Sequence, residues 1–325
     1  MMSLELTLGL TLAALLFEAA FGYPSFLLAR IGHPVMWIGR LIGWLDRHVN
    51  RDAAAPRERR LAGLGALVVI VVASGTAGLL LQGLAMTLPL GVLLAALAGS
   101  SLLAQRSLYQ FVGAVADGLE VSLEEGRRAV SHIVGRDPDK LDEAGVARAA
   151  IESLAENYSD GVVAPALWMA IAGLPGAAIY KGVNTADSMI GHRTARHLHF
   201  GWASARFDDL INLPASRLSG ALIVVGAVFV RGASPWRAIV AIRRDAGRHR
   251  SPNAGWPEAA MAGALGIAIA GPRHYGGTLS VDGLMGAGGR YECTAADIRR
   301  ALALYRAADA VMVALVAGLA LVAWW

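Results

Sequence analysis

Four polar stretches interrupt an otherwise apolar sequence, and in each the side-chain types and spacing suit chemistry on charged ligands. The first runs from Arg148 to Gly161 and carries Glu152, Glu156, Asn157 and Asp160. Acids four apart share a helical face, so the pattern predicts a helix up to Gly161 with Glu152 and Glu156 on one stripe that Asp160 extends. No lysine separates these carboxylates, and their repulsion would be relieved by Mg²⁺ or by a cationic substrate, since hard cations prefer oxygen ligands. The competing reading is a solvated acidic face with Arg148 reaching Glu152. The second stretch, Lys181 to His192, puts Lys181, Asn184, Thr185 and Ser188 on one helical stripe, with Asp187 three residues beyond Asn184. A lysine beside amides and hydroxyls binds phosphate, and Asp187 completes a Mg²⁺ shell, a combination that phosphoryl transfer requires. A polar packing seam between helices would use the same residues.

The third stretch, Phe200 to Pro214, sets Asp208 and Asp209 beside Arg206, a side chain able to grip carboxylate or phosphate bidentately. Asp209 and Asn212 are three apart and face one ligand, whereas Asp208 points elsewhere unless the helix bends; a surface ion network is the alternative. The fourth, Arg243 to Glu258, combines a basic run with Ser251-Pro252-Asn253-Ala254-Gly255, which is turn chemistry, and then Pro257 and Glu258 at the opening of a helix. Such a turn can hold a polyanion, with His249 as proton carrier, although arginines beside a membrane also meet anionic lipid. No Gly-x-x-x-x-Gly-Lys-Ser/Thr loop and no His-Glu-x-x-His site is present. The Gly-rich 283–289 run reads as a turn. The single cysteine, Cys293, excludes an intramolecular disulfide and any Cys-x-x-Cys site.

The elements that must position these groups belong to a membrane. Of 325 residues, 55% are hydrophobic and 17% charged, against about 25% charge in soluble domains, and the mean hydropathy is +0.50. The net charge of +4 does not point to nucleic acid, because the basic residues lie in short segments between apolar runs. Residues 61–81 and 84–104 are uncharged and long enough to cross about 30 Å of hydrocarbon, and they read as a tight helical hairpin. A third run, 302–325, ends in Trp324-Trp325, an interfacial anchor. The 6–20 run lacks a positive flank and reads as a retained membrane helix. The 161–180, 218–230 and 259–271 runs are short or interrupted and are expected to be incomplete, re-entrant or buried elements. Arginines in the 46–60 linker place it in the cytoplasm by the positive-inside bias, and the polar stretches are expected on that same face. The fold class predicted is therefore an all-α, multi-pass cell-membrane protein of about four to six transmembrane helices with helical polar segments at the cytoplasmic face. It is expected to form a single membrane-embedded domain over 1–325, with a membrane hairpin in 1–104, polar catalytic segments in 105–290 and a last transmembrane helix at 302–325.

Taken in order, the polar stretches resemble the CobD/CbiB cobalamin-biosynthesis proteins, the adenosylcobinamide-phosphate synthases. The matching residues are His33-Pro34-Val35 with Ile38-Gly39-Arg40-Leu41-Ile42, Ile133-Val134-Gly135-Arg136-Asp137, and Glu152 to Pro165. Asn184 to Gly191, Phe200-Gly201 with Ala205 to Asp209, Asp245 to Gly255, Glu258 and Tyr275-Gly276-Gly277 continue the match over nearly the whole chain. His192, where the family often has tyrosine, and the spacing of Pro214 from Arg217 depart from it. The resemblance implies condensation of the corrinoid adenosylcobyric acid with aminopropanol or its O-phosphate, using ATP and Mg²⁺. It also admits contacts with other proteins of the pathway and leaves the oligomeric state open. On this reading Glu152, Glu156, Asp160, Lys181, Asp187 and His249 are catalytic candidates, and Glu156, Asp187, Asp208 and Asp209 are candidate metal ligands. Arg136, Asn157, Asn184, Ser188, Arg206, Ser251, Asn253 and Glu258 bind substrate. A membrane transporter for a corrinoid or another large anion is the alternative, since intramembrane polar groups also mark transport paths.

Overall fold

A helix that faces lipid turns its large apolar side chains outward and keeps small and polar residues for its neighbours, and the helix α4 (Pro56–Met86) follows that rule. Gly63, Ala66, Ile70, Ser74, Gly78, Gln82 and Ala85 are buried, whereas Leu64, Val68, Val72, Leu79 and Leu80 are exposed. The computed structural model describes residues 3–134, 138–271, 273–275, 278–280 and 283–325. Arg136 and the Gly276-Gly277 pair, both singled out in the sequence, lie outside the described residues.

The chain divides into two compact units. The first holds residues 1–104, 164–212 and 316–325. It contains α1 (Leu4–Phe21), α2 (Ser25–Ile31), α3 (Pro34–Val49), α4, α5 (Gly91–Ser100) and a long kinked helix, Ala164–Ile190, called α9 below in chain order. The second unit holds 105–163 and 213–315. It contains α6 (Gln105–Val121), α7 (Leu123–Val130), α8 (Glu143–Tyr158), α11 (Pro235–Asp245) and α12 (Gly255–Leu265). Two helices, α10 (Trp202–Gly226) and α13 (Ala295–Trp324), contribute residues to both. The strands are minimal: β1 (Ile269–Ala270) pairs antiparallel with β4 (Leu284–Met285), and β2 (Arg273–Tyr275) with β3 (Thr278–Ser280).

In the first unit α4 packs along α9, and α1 packs on both α5 and α9. A kink in α9 at Ala172 and Gly173, just before Pro175, breaks its hydrogen-bond ladder. In a membrane every freed backbone group needs a protein partner, and two polar side chains supply them. Gln82 Oε1 accepts from the Leu174 amide at 2.9 Å, and Thr7 Oγ1 donates to the Ala170 carbonyl at 2.7 Å. The expected hairpin turn at 82–83 is therefore helix instead. α4 runs on to Met86, the chain reverses at 87–90, and the second arm breaks after Ser100 before α6 begins. In the second unit α8 is buried along Ala144–Ala155 and is surrounded by α6, α7, α12 and β1.

Among the described residues six helical stretches are long and apolar enough to cross a membrane: Leu4–Phe21, Pro56–Met86, Gly91–Val121, Glu143–Ile190, Trp202–Phe229 and Ala295–Trp324. The chain is an all-α multi-pass membrane protein. The runs at 161–180 and 218–230, expected to be incomplete, are parts of two of these stretches. A π-helical turn at Ser159–Val163 joins α8 to α9, so no helix ends at Gly161. The 259–271 run divides between α12 and β1, as a buried element.

Candidate active site

The most acidic cluster of the first unit lies where α9 meets the opening half of α10. Asp208, only 7% exposed, accepts hydrogen bonds from Asn212 Nδ2 at 3.0 Å and Asn184 Nδ2 at 3.4 Å. The Tyr180 hydroxyl donates to Asn212 Oδ1 at 2.9 Å. That contact turns the amide of Asn212 so that its nitrogen faces the carboxylate. Asp187 and Asp209 both lie within electrostatic reach of Asp208. Among the described residues neither Asp187 nor Asp208 is paired with a lysine or arginine. Three carboxylates within electrostatic reach of one another thus meet two neutral amides at this junction.

Asp208, and not Asp209, is the partner of Asn212, because the i,i+4 spacing carries Asp208 onto the face turned to α9. Asp209 is half-buried and instead meets Arg206 at 3.8 Å. On α9 the Thr185 hydroxyl donates to the Lys181 carbonyl at 2.7 Å and the Ser188 hydroxyl to the Asn184 carbonyl at 2.9 Å. These two hydroxyls satisfy their own helix, while Lys181, Asn184 and Asp187 stay half-buried at its surface. Lys181 lies within electrostatic reach of His33, whose Nδ1 caps α3 by accepting from the Val35 amide at 3.3 Å. Burial, and then the Lys181 charge, hold the His33 imidazole below its ordinary pKa.

Among the described residues no three His, Cys, Asp or Glu side chains gather closely enough to form a metal cage by themselves. Mg²⁺ ordinarily takes one or two carboxylates and completes its shell with water and substrate phosphate. The Asp187, Asp208 and Asp209 set fits an ion shared in that way. Glu156, the fourth expected ligand, belongs to the other unit and is exposed on α8.

The 191–201 segment that leads into α10 is held by close backbone packing and by ion pairs. A Cβ on Gly201 would strike the Ile190 carbonyl, and one on Gly63 the Phe200 carbonyl. Phe200 itself is fully buried among Ile42, Leu45, Ile70 and Ile190. Arg196 Nε reaches Asp46 at 3.1 Å and its Nη1 reaches Asp52 at 3.0 Å, while buried Arg59 donates to the Arg196 carbonyl. Burial pushes the Asp46 carboxyl up, but hydrogen bonds from Asn50, Arg196 and His197 outweigh it and hold the group below the usual carboxylate range.

In the second unit the carboxylates of the expected acidic stripe differ in exposure, with Glu152 buried, Glu156 exposed and Asp160 half-buried. Glu152 is buried, and its Oε1 accepts from the Ala270 amide at 2.7 Å. Ala270 sits at φ 60, a left-handed conformation that costs a non-glycine residue about 1–2 kcal/mol, so Glu152 helps fasten a strained corner. Half-buried Asp160 lies in the π-helical turn that follows α8. Asn157 is exposed and donates to the Ser153 carbonyl at 2.9 Å. Arg148 turns from Glu152 to lie 3.6 Å over the Tyr291 ring.

The fourth stretch folds into the expected turn, with Pro257 and Glu258 in the first turn of α12. His249 Nδ1 accepts from the Ser251 amide at 3.0 Å, and its Nε2 lies 3.6 Å from Glu258 Oε1 in a nearly buried pair. Ser251 Oγ accepts from the amides of Asn253 and Ala254, both at 3.2 Å. Asn253 Oδ1 receives Ser216 Oγ at 3.0 Å and Arg217 Nη1 at 2.9 Å. Asp245, fully buried, accepts from Arg244 at 2.7 and 2.8 Å and from the amides of Gly286 and Ala287 at 2.9 and 3.1 Å. Burial raises its pKa, but those donors outweigh it and hold the carboxyl below its usual range.

The sequence passed over one feature of the first unit: a cavity of about 300 Å³ lined by Arg60, Arg193, His199, Trp202, Arg206 and Asp209, among others. Of these residues the sequence motifs mark only Arg206 and Asp209 as candidates. In the sequence Arg60 closes the arginine-rich 46–60 linker, and nothing in the spacing joins it to residues 193–209.

A family profile described as CobD/Cbib protein matches residues 11–305 of the chain. A cobalamin biosynthesis protein CobD of Sinorhizobium fredii is 52% identical over 307 residues, which cover 94% of each chain. Its namesake in Rhodobacter capsulatus is 50% identical, over 94% of this chain and 95% of the relative. The one in Brucella suis is 45% identical, over 98% of both. No solved structure matches the chain.

Proposed function

Because the chain belongs to the CobD/CbiB family of cobalamin-biosynthesis proteins, we propose that it joins adenosylcobyric acid to aminopropanol, or to aminopropanol O-phosphate, by ATP-dependent amide formation. What supports the chemistry is the Asp187, Asp208 and Asp209 cluster with its two amides, a negative site without a cation paired to Asp187 or Asp208. A carboxylate oxygen is a poor leaving group. Transfer of the γ-phosphoryl group of ATP to that oxygen gives an acyl phosphate and ADP. The amine nitrogen then attacks the acyl carbon, the C–O bond to phosphate breaks, and the nitrogen gives up a proton to leave amide and inorganic phosphate.

Asp187 and Asp208, with Asp209 at the edge, would hold Mg²⁺, which when bound supplies charge neutralisation to the phosphates. Asn184 orients the ligand at the same place, and Lys181 and Arg206 counter phosphate charge. Glu156 and Asp160 remain proposed catalytic groups, as does Glu152, which also holds the Ala270 corner, and Asn157 and Ser188 remain proposed substrate contacts. In the second unit His249, with Glu258 at 3.6 Å, is the proposed proton carrier, on a turn built by Ser251 and Asn253. The active face is proposed to be cytoplasmic. Supporting this, the arginine-rich 46–60 linker and the 191–201 segment share one ion-pair network at the same end of the first unit.

Reconstitution of the full chain in nanodiscs with adenosylcobyric acid, ATP, Mg²⁺ and either amine tests the proposal. The amide is expected by mass only when all components are present. Folded protein that forms no amide under any combination, or that moves a corrinoid across vesicles without forming one, would overturn it.

A further inference from the structure

The cavity beside α10 lies where two membrane-spanning helices begin. Arg60 directly precedes the uncharged 61–81 run of α4, Trp202 is the first residue of α10, and both line the cavity. Arg193, from the segment after α9, and Arg206 complete its basic wall, and all three arginines are exposed. Arg206 is met by Asp209 at 3.8 Å, and Arg193 is within electrostatic reach of the same acid. Among the described residues neither Arg60 nor Arg193 has a carboxylate within ion-pair distance. Arg60 instead lies 5.6 Å from the centre of the Trp202 ring. Three arginines against one carboxylate leave the wall positive. On it His199 Nδ1 is buried and has no hydrogen-bond partner among the described residues, and in one tautomer that nitrogen donates to an anion.

What adjoins the cavity is apolar and faces outward. Steps of four residues from Arg60 along α4 pass Leu64, Val68 and Val72, all exposed, so its guanidinium stands at the head of an outward apolar stripe. On α10 the same step leads from Trp202 through Arg206 to exposed Leu210. Leu198 and Trp202, on the wall itself, are exposed as well, and tryptophan at the end of a span is an interfacial residue. A soluble anion would meet the arginines and leave this apolar surface uncovered. A phospholipid meets both, with its phosphate on the arginines and its acyl chains along the stripes. About 300 Å³ suffices for a headgroup, at the low end of ligand pockets of roughly 300–1,000 Å³. Charge then selects among lipids: a zwitterionic headgroup brings an ammonium group against a positive wall, and an anionic one does not. Basic pockets between spanning helices hold anionic headgroups in this way. We propose that this cavity binds an anionic glycerophospholipid such as phosphatidylglycerol. Arg60 and Arg193 grip its phosphodiester, His199 is a further donor, and the acyl chains lie against α4 and α10. The site needs neither Asp187 nor Asp208 and stands independently of the amide-forming reading.

Native mass spectrometry of the full chain, released from nanodiscs of phosphatidylcholine and phosphatidylglycerol in equal parts, reads which lipid stays bound. The unaltered protein is expected to retain phosphatidylglycerol in preference to phosphatidylcholine. Arg60→Gln and Arg193→Gln each remove one charge-assisted phosphate contact and should weaken that retention about tenfold. Arg57→Gln, at an exposed arginine of the same helix that is not part of the cavity wall, should leave it unchanged. Both cavity arginines are exposed, and a melting curve for each variant checks the fold. Equal retention of the two lipids by the unaltered protein overturns the proposal, as does unchanged retention in either cavity variant. An equal loss in all three variants also overturns it, since that is the mark of a diffuse attraction between basic residues and the membrane surface. The last arm adds inorganic phosphate in millimolar excess, which should not displace the lipid. Displacement, lost in the cavity variants, would assign the cavity to a soluble phosphate compound and overturn the lipid site.

Discussion

Asp208 and Asp245 are both carboxylates withdrawn from water, one in each unit, and their surroundings answer the cost of burial in opposite ways. Asp245 takes two hydrogen bonds from Arg244 and one each from the amides of Gly286 and Ala287. Its charge is balanced and its acceptors are filled, so it ties the end of α11 to the segment after β4. Asp208 has two neutral amides and two further acids for company. A buried ion is stable only when paired and hydrogen-bonded; Asp245 meets both conditions, whereas Asp208 has hydrogen bonds but, among the described residues, no paired lysine or arginine. The contrast separates a strut from a candidate site, which residue type alone cannot do.

The largest effect is expected at Asp208. Asp208→Ala should lower the rate of amide formation by about a hundredfold or more while leaving the melting temperature close to that of the unaltered protein. A variant that keeps its rate would break the comparison. Asp245→Asn should do the opposite, costing on the order of 3 kcal/mol of stability through stranded donors, with the rate per folded molecule preserved. A thermal melt beside the amide assay reads both.

The same contrast has a pH signature. The Asp245 pKa is depressed in the folded chain, so its stabilisation is present above the unfolded value of about 3.9 and is lost as pH falls through the folded value. The melting temperature should therefore fall in the acid range, and Asp245→Asn should flatten that part of the profile. Asp209→Asn, at a half-exposed acid already met by Arg206, should cost only about tenfold in rate. The smallest effect belongs to His33. Its folded pKa is lowered by burial and then by Lys181, so stability should decline slightly as pH drops below the unfolded value of about 6.5. In His33→Asn, which keeps a capping side chain, that decline should vanish.

Some of this was legible in one dimension. The spans 61–81 and 302–325 could be read because lipid demands unbroken apolar length. The Ser251 to Gly255 turn could be read because its side chains bond their own backbone. Residues 161–180 were harder, since glycine and proline in that run suggested an interruption, and only Gln82 and Thr7, about ninety and one hundred and sixty residues away in sequence, repair it. The acidic stripe on α8 was drawn from ideal helical spacing. The burial of Glu152 against the Ala270 amide, which sets it apart from exposed Glu156, has no local signature.

By itself the sequence determined the class of protein, its family and the kinds of groups available for chemistry, because hydropathy, residue type and the order of motifs are properties of a chain. Tertiary structure alone decided which acid faces Asn184, that Asp245 is neutralised while Asp208 is not, and that Arg60 shares a cavity with Arg193 and Arg206. The physical reason is that charge compensation and enclosure depend on distances between distant residues, and those distances exist only once the helices have packed.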